Sequence, residues 1–78
     1  MYVPRSNLDF KFLKDVKMLE EKYQLSILFE YKGDVCFAHC YSLEFELMEI
    51  AEIRIGTRDD SKERWYINLS KELKRRWS

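Results

Sequence analysis

The sequence predicts a small α+β domain: a mostly antiparallel sheet of about four strands, in the order α-β-β-β-β-α, with both helices on one face. Three observations carry this expectation. Leu8, Phe12, Val16, Leu19 and Tyr23 fall three or four residues apart and form one apolar helical stripe. Two β-prone runs meet at Gly33-Asp34, a pair suited to a two-residue hairpin. Near the C-terminus, Ser70 precedes Leu73 and Trp77, which are four apart as on a short docking helix.

Size limits the architecture. Seventy-eight residues make one domain with a thin core. The 15% aromatic content supplies large buried areas per residue, which a short chain needs.

Taken in order, residues 1–6 read as an N-terminal arm and 7–23 as the first helix. Ser6 or Asn7 is its cap and Asp9 lies in the first turn. Residues 26–41 form the hairpin. A type II′ turn sets Lys32 opposite Val35, with Ile27, Phe29 and Tyr31 sharing a face with Cys36, Ala38 and Cys40. Large side chains then meet small ones across the pair. Residues 42–55 are a connection followed by a strand, because Leu43, Phe45, Leu47, Ala51, Ile53 and Ile55 share one parity that only Glu49 breaks. A polar loop follows. Trp65, Ile67 and Leu69 alternate as in a strand over 64–69, and 70–77 is the final helix.

Charge and motifs narrow the functional classes. Lys plus Arg and Asp plus Glu both number 14, so no basic excess marks a phosphate-neutralising protein. Two cysteines do not make a secreted disulfide scaffold, and no apolar run is long enough to span a bilayer. The N-terminus lacks a signal-peptide pattern, and a cytoplasmic setting is expected. Two isolated glycines build no phosphate-cradling loop, and no Gly-x-Ser-x-Gly elbow occurs. Cys36-Phe37-Ala38-His39-Cys40 resembles a metal or thiol site, but a structural zinc site usually takes four such ligands. On a strand His39 points away from both cysteines, whose positions lie roughly 13 Å apart. No metal, cofactor or catalytic constellation is predicted.

Three patches remain as binding candidates. The sheet face away from the helices presents Phe37, His39, Tyr41 and Tyr66, with Glu30, Glu44, Glu46 and Glu52 projecting to the same side. Mixed charge around aromatic rings suits a protein partner or self-association, although the Tyr2-Val3 segment could equally cover these rings. The last helix carries Lys74, Arg75, Arg76 and Trp77, and the first carries Phe10 off its apolar stripe near Lys14 and Lys17. The expected function is a small non-enzymatic protein-binding module, an adaptor or stoichiometric inhibitor of a larger macromolecule, such as an accessory protein of a virus or mobile element. The alternative is a nucleic-acid binder using the basic C-terminal helix; the third reading is a miniature nuclease centred on His39.

Overall fold

The computed structural model describes residues 1–44 and 46–77; Phe45, in the predicted connection, and Ser78 lie outside the described residues. Helix α1 spans Phe10–Tyr23, strands β1, β2 and β3 span Leu25–Lys32, Val35–Ser42 and Met48–Thr57, and helix α2 spans Lys62–Arg76. The three strands form one antiparallel sheet in the order β1-β2-β3. The α+β class holds, but the order is α-β-β-β-α and the expected fourth strand is absent among the described residues.

The first helix starts later than the sequence suggests. Asp9 is the cap, its Oδ1 accepting the Phe12 N–H at 2.9 Å and its carbonyl accepting the Leu13 N–H at 3.1 Å. Ser6 and Asn7 instead belong to a single 3-10 turn at Arg5–Asn7. The helix stops at Gln24, which turns left-handed (φ 56°) while its N–H closes on the Glu20 carbonyl. Phe12, Val16 and Leu19 are buried as the stripe requires, with Leu8 buried just before it.

The hairpin has the expected register, Lys32 opposite Val35 and Ile27 opposite Cys40. Gly33 takes φ 64° and Asp34 does not take a positive φ, as a type II′ turn requires. β3 then joins β2 with two irregularities, each leaving one extra residue on β3: Ile55, between the partners of Cys36 and Phe37, and Ile50, between those of Cys40 and Tyr41. The connection from Ser42 to Met48 closes through the Leu47 N–H to the Ser42 carbonyl at 2.9 Å.

Residues 64–69, expected as a strand, are helical, and Ser70 lies inside α2 instead of capping it. The alternation of Trp65, Ile67 and Leu69 fitted a strand, but Trp65, Leu69 and Leu73 also fit a helix at spacing four, and this is the face that is buried. Ile67 is left 50% exposed. The start signal is Ser61, whose Oγ accepts the Arg64 N–H at 3.1 Å, with Glu63 in the first turn.

Both helices bury their stripes against the same sheet face. Trp65, Leu69 and Leu73 join Phe12, Val16 and Leu19 in one core with Ile27, Phe29, Cys36, Ala38, Cys40, Ile53 and Ile55. The place of a fourth strand is taken by the arm. Val3 donates to the Phe29 carbonyl and Tyr31 to the Met1 carbonyl, both at 2.8 Å, and Tyr2 bridges Glu30 in the antiparallel sense. Further along the same edge, Glu20 accepts the Ile27 N–H at 2.8 Å and Arg5 donates to the Ile27 carbonyl at 3.0 Å. The outer edge of β1 is thereby closed to further strand pairing.

Candidate functional site

The free face of the sheet is polar at its centre. His39, in the middle of β2, stands between Leu28 on β1 and Glu52 on β3. Its ring is only 5% exposed. Nε2 lies 2.8 Å from Glu30 Oε1, Nδ1 lies 3.1 Å from Glu49 Oε1, and Nδ1 lies 3.6 Å from Glu52 Oε2. The Tyr2 ring sits 5.8 Å from the imidazole, so the arm forms one wall of the cluster. Glu30 comes from the diagonal position on β1, within reach of a long side chain.

Glu49 reaches this face through a fault in β3. Glu49 and Glu52 are three residues apart, which on a regular strand would send them to opposite faces. The extra residue at Ile50 resets the alternation, so that Glu49 pairs with Tyr41 and Glu52 with His39. One shared polar site results.

Two cations offset the three carboxylates. Lys32 Nζ lies 2.8 Å from Glu52 Oε2, and the N-terminal ammonium lies 3.7 Å from Glu30 Oε2. Hydrogen bonding to Lys32 holds the Glu52 carboxyl below its usual range, and Glu52 in turn raises the Lys32 ammonium. Desolvation, followed by hydrogen bonds to Glu49 and Tyr2, pushes the Tyr41 phenol up to about 12. One donor atom from each of Glu30, His39 and Glu52 lies within 4.8 Å of the others, a grouping that could hold a metal ion.

Phe37, His39, Tyr41 and Tyr66, expected together on the free sheet face, do not form one open patch. Phe37 and Tyr41 lie on the free sheet face but are half-buried, and His39 is sealed among carboxylates. Lys32 stacks over Phe37 at 4.9 Å. Tyr66, expected on the sheet, is on α2 because 64–69 is helical; it lines a cleft of about 560 Å³ between the helices with Lys11, Phe12, Asp15 and Ile67. Phe10 is 81% exposed at the start of α1, and Lys14, Lys17 and Lys74 are exposed on the helices. Arg75 and Arg76 are tied to Glu72 at 2.8 and 3.6 Å. Trp77 lines a shallow hollow with Tyr23, Leu25 and Ile50 at the opposite end of α2 from its cap.

No family model, curated protein or solved structure matches this chain. Its surfaces therefore carry the functional reading.

Neutral net charge conceals a segregation. Ten of the 14 Lys and Arg lie in the two helices, against five of the 14 Asp and Glu. The strands and the β2–β3 connection hold Glu30, Glu44, Glu46, Glu49 and Glu52 with only Lys32 and Arg54 to answer them. Lys14, Lys17, Lys71 and Lys74 enter no ion pair among the described residues. Two residues escaped the sequence reading. Glu49 looked like a parity fault, and Ile67 like a core residue of a strand. No described helix is long and apolar enough to cross a membrane.

Proposed function

We propose that this chain is a small non-enzymatic binding module, an adaptor or stoichiometric inhibitor, that engages an acidic protein partner through the outer face of its helical layer. One repeated arrangement supports this reading. Phe10, Lys14 and Lys17 on α1 and Ile67, Lys71 and Lys74 on α2 have the same spacing, a large exposed apolar side chain followed by lysines four and seven residues on. Each triplet shares one helical face. Neither Phe10 nor Ile67 contributes to the core, so their exposure leaves an apolar anchor beside cations on each helix. Aliphatic lysine stems extend the apolar area while their ammonium groups stay in water, which suits a groove with an acidic rim.

The second reading is a nucleic-acid binder, supported by the concentration of cations in the helices. The sheet face supports it less, because phosphate would meet Glu30, Glu49 and Glu52 there. Burial of His39 among these carboxylates also removes the accessible base on which a miniature nuclease would depend.

The test is crosslinking in the native cell, followed by affinity measurement with the captured partner. Phe10→Ser is expected to weaken binding by about 30-fold, the effect of losing an anchor of about 2 kcal/mol. Lys14→Glu with Lys17→Glu should slow association and lower its salt dependence. Unchanged binding by both variants, with loss on Leu28→Asp at the sheet face, would put the contact on the wrong side of the molecule. A steep, sequence-independent salt slope against duplex or single-stranded nucleic acid would favour the second reading.

A further inference from the structure

We propose that the His39 cluster binds a divalent transition-metal ion, with His39 Nδ1, Glu49 and Glu52 as ligands and Glu30 as the carboxylate that orients the ring. The hydrogen-bonding capacity of imidazole gives the starting point. A neutral ring has one N–H and one lone pair. In the tautomer that donates Nε2–H to Glu30, 2.8 Å away, the Nδ1 lone pair faces Glu49 Oε1 at 3.1 Å and Glu52 Oε2 at 3.6 Å. This nitrogen belongs to a side chain only 6% exposed, so water cannot freely repair the mismatch. Lys32 supplies a cation to Glu52 Oε2 alone, at 2.8 Å, whereas a metal ion at Nδ1 would serve the nitrogen and both carboxylates at once.

The spacing suits a metal ion. Bonds of about 2.1 Å at tetrahedral or octahedral angles place neighbouring donors about 3.0–3.4 Å apart. The 3.1 Å separation falls within this range, and the 3.6 Å separation needs a small inward movement of the exposed Glu52 side chain. A carboxylate on the far nitrogen of a ligating imidazole is the usual device for fixing the tautomer and the ring orientation, and Glu30 stands in that place. Imidazole with two carboxylates favours a borderline ion such as Zn²⁺ over Ca²⁺ or Mg²⁺, which prefer all-oxygen sites. Entry is from solvent past Glu49 and Glu52, whose side chains are 43% and 38% exposed. The extra residue at Ile50 is what brings Glu49 and Glu52 onto one side of the sheet. Lys32 holds Glu52 and must swing away for the ion to enter, which its 51% exposure permits. Metal and ammonium therefore compete for the same oxygen.

The experiment is calorimetric titration of the whole chain with ZnCl₂, repeated with CoCl₂ for the visible spectrum. One equivalent should bind, raise Tm by several degrees and be removed by EDTA. Glu49→Gln or Glu52→Gln should abolish binding. Glu30→Gln should weaken it about 10–100-fold, as loss of a ring-orienting carboxylate does elsewhere. Lys32→Met, which removes the competitor without touching a ligand, should tighten it. The cobalt spectrum should lack thiolate charge transfer, because Cys36 and Cys40 point into the core on the other side. Absence of stoichiometric heat from the wild-type chain would overturn the proposal, leaving the cluster a proton-bridged ion network. A thiolate band, or binding unaltered in folded Glu49→Gln and Glu52→Gln proteins, would overturn it equally.

Discussion

Gly56→Ala tests how the second helix is seated on the sheet. A Cβ at this position would lie 2.7 Å from Trp65 Cδ1, 2.9 Å from Trp65 Nε1 and 2.9 Å from Asp60 Oδ2. None of these atoms is free to retreat. The indole N–H donates to the Thr57 carbonyl at 3.0 Å, and the Phe12 and Tyr31 rings meet the indole edge-on at 5.9 and 5.8 Å. Asp60 accepts the Thr57 N–H at 2.8 Å. Overpacking of this kind costs about 1–3 kcal/mol. The backbone adds to it, since Gly56 has φ 154°, and strain in such regions is of order 1–3 kcal/mol. A total near 3 kcal/mol would lower Tm by roughly 15 °C in a domain of this size. The control is Gly33→Ala, where φ is 64° and nothing lies within 4 Å, so only the backbone cost of about 1 kcal/mol applies. Urea unfolding followed by far-ultraviolet circular dichroism measures both. The contact can be isolated in a double-mutant cycle, because Trp65→Phe removes the indole edge and should recover at least about 1 kcal/mol of the Gly56→Ala cost. Equal losses for the two glycine substitutions would mean that the ring does not press on Gly56, and that α2 is held by Leu69 and Leu73 alone.

Ser61→Ala removes the side-chain acceptor for the Arg64 N–H and should cost about 1 kcal/mol in the same unfolding assay, whereas Ser70→Ala, inside the helix, should cost little. The core thiols give a further check. Burial pushes Cys36 up to about 11 and Cys40 to about 12, so neither should react with a disulfide reagent at pH 8 faster than the chain unfolds. The same shifts set a sign for stability. Both thiols stay protonated in the folded chain above pH 9, where the unfolded chain releases their protons. Stability should therefore be full below about pH 8 and fall as pH rises towards 11, by on the order of 1 kcal/mol per thiol at pH 9.5. Replacing both cysteines with Ala should flatten that part of the profile.

The hairpin register, the buried face of β1 and β2 and the α1 stripe were all legible in sequence, because each depends on neighbours within one or two elements. Gly33-Asp34 selects the turn, the turn sets Lys32 against Val35, and period-two alternation does the rest. The C-terminal half was not legible in the same way. Trp65, Leu69 and Leu73 satisfy a helical period while Trp65, Ile67 and Leu69 satisfy a strand period, and local pattern cannot choose between them. Packing makes the choice. As a helix, α2 buries Trp65, Leu69 and Leu73 on the same sheet face as α1, and its Asn68 amide donates to the Ile55 carbonyl at 2.8 Å.

The candidate site divides along the same line. Alternation alone placed Glu30, Glu52 and His39 on one side of the sheet. Glu49 joins them only because β3 carries an extra residue, which no residue type in that strand announces. The covering of the face by Met1 to Val3 and the bond from Arg5 to the Ile27 carbonyl link segments more than 20 residues apart, so they depend on the assembled sheet. Glu20, by contrast, reaches the Ile27 N–H across the short turn from α1 to β1. Net charge was likewise readable from composition as zero, but its separation into a basic helical layer and an acidic strand layer was not. Composition counts charges, and only the fold assigns each one a side. The sequence by itself determined the class, the hairpin and the apolar faces through short-range periodicity. Tertiary packing decided the helical C-terminus, the sealed His39 and the polarity of the two surfaces.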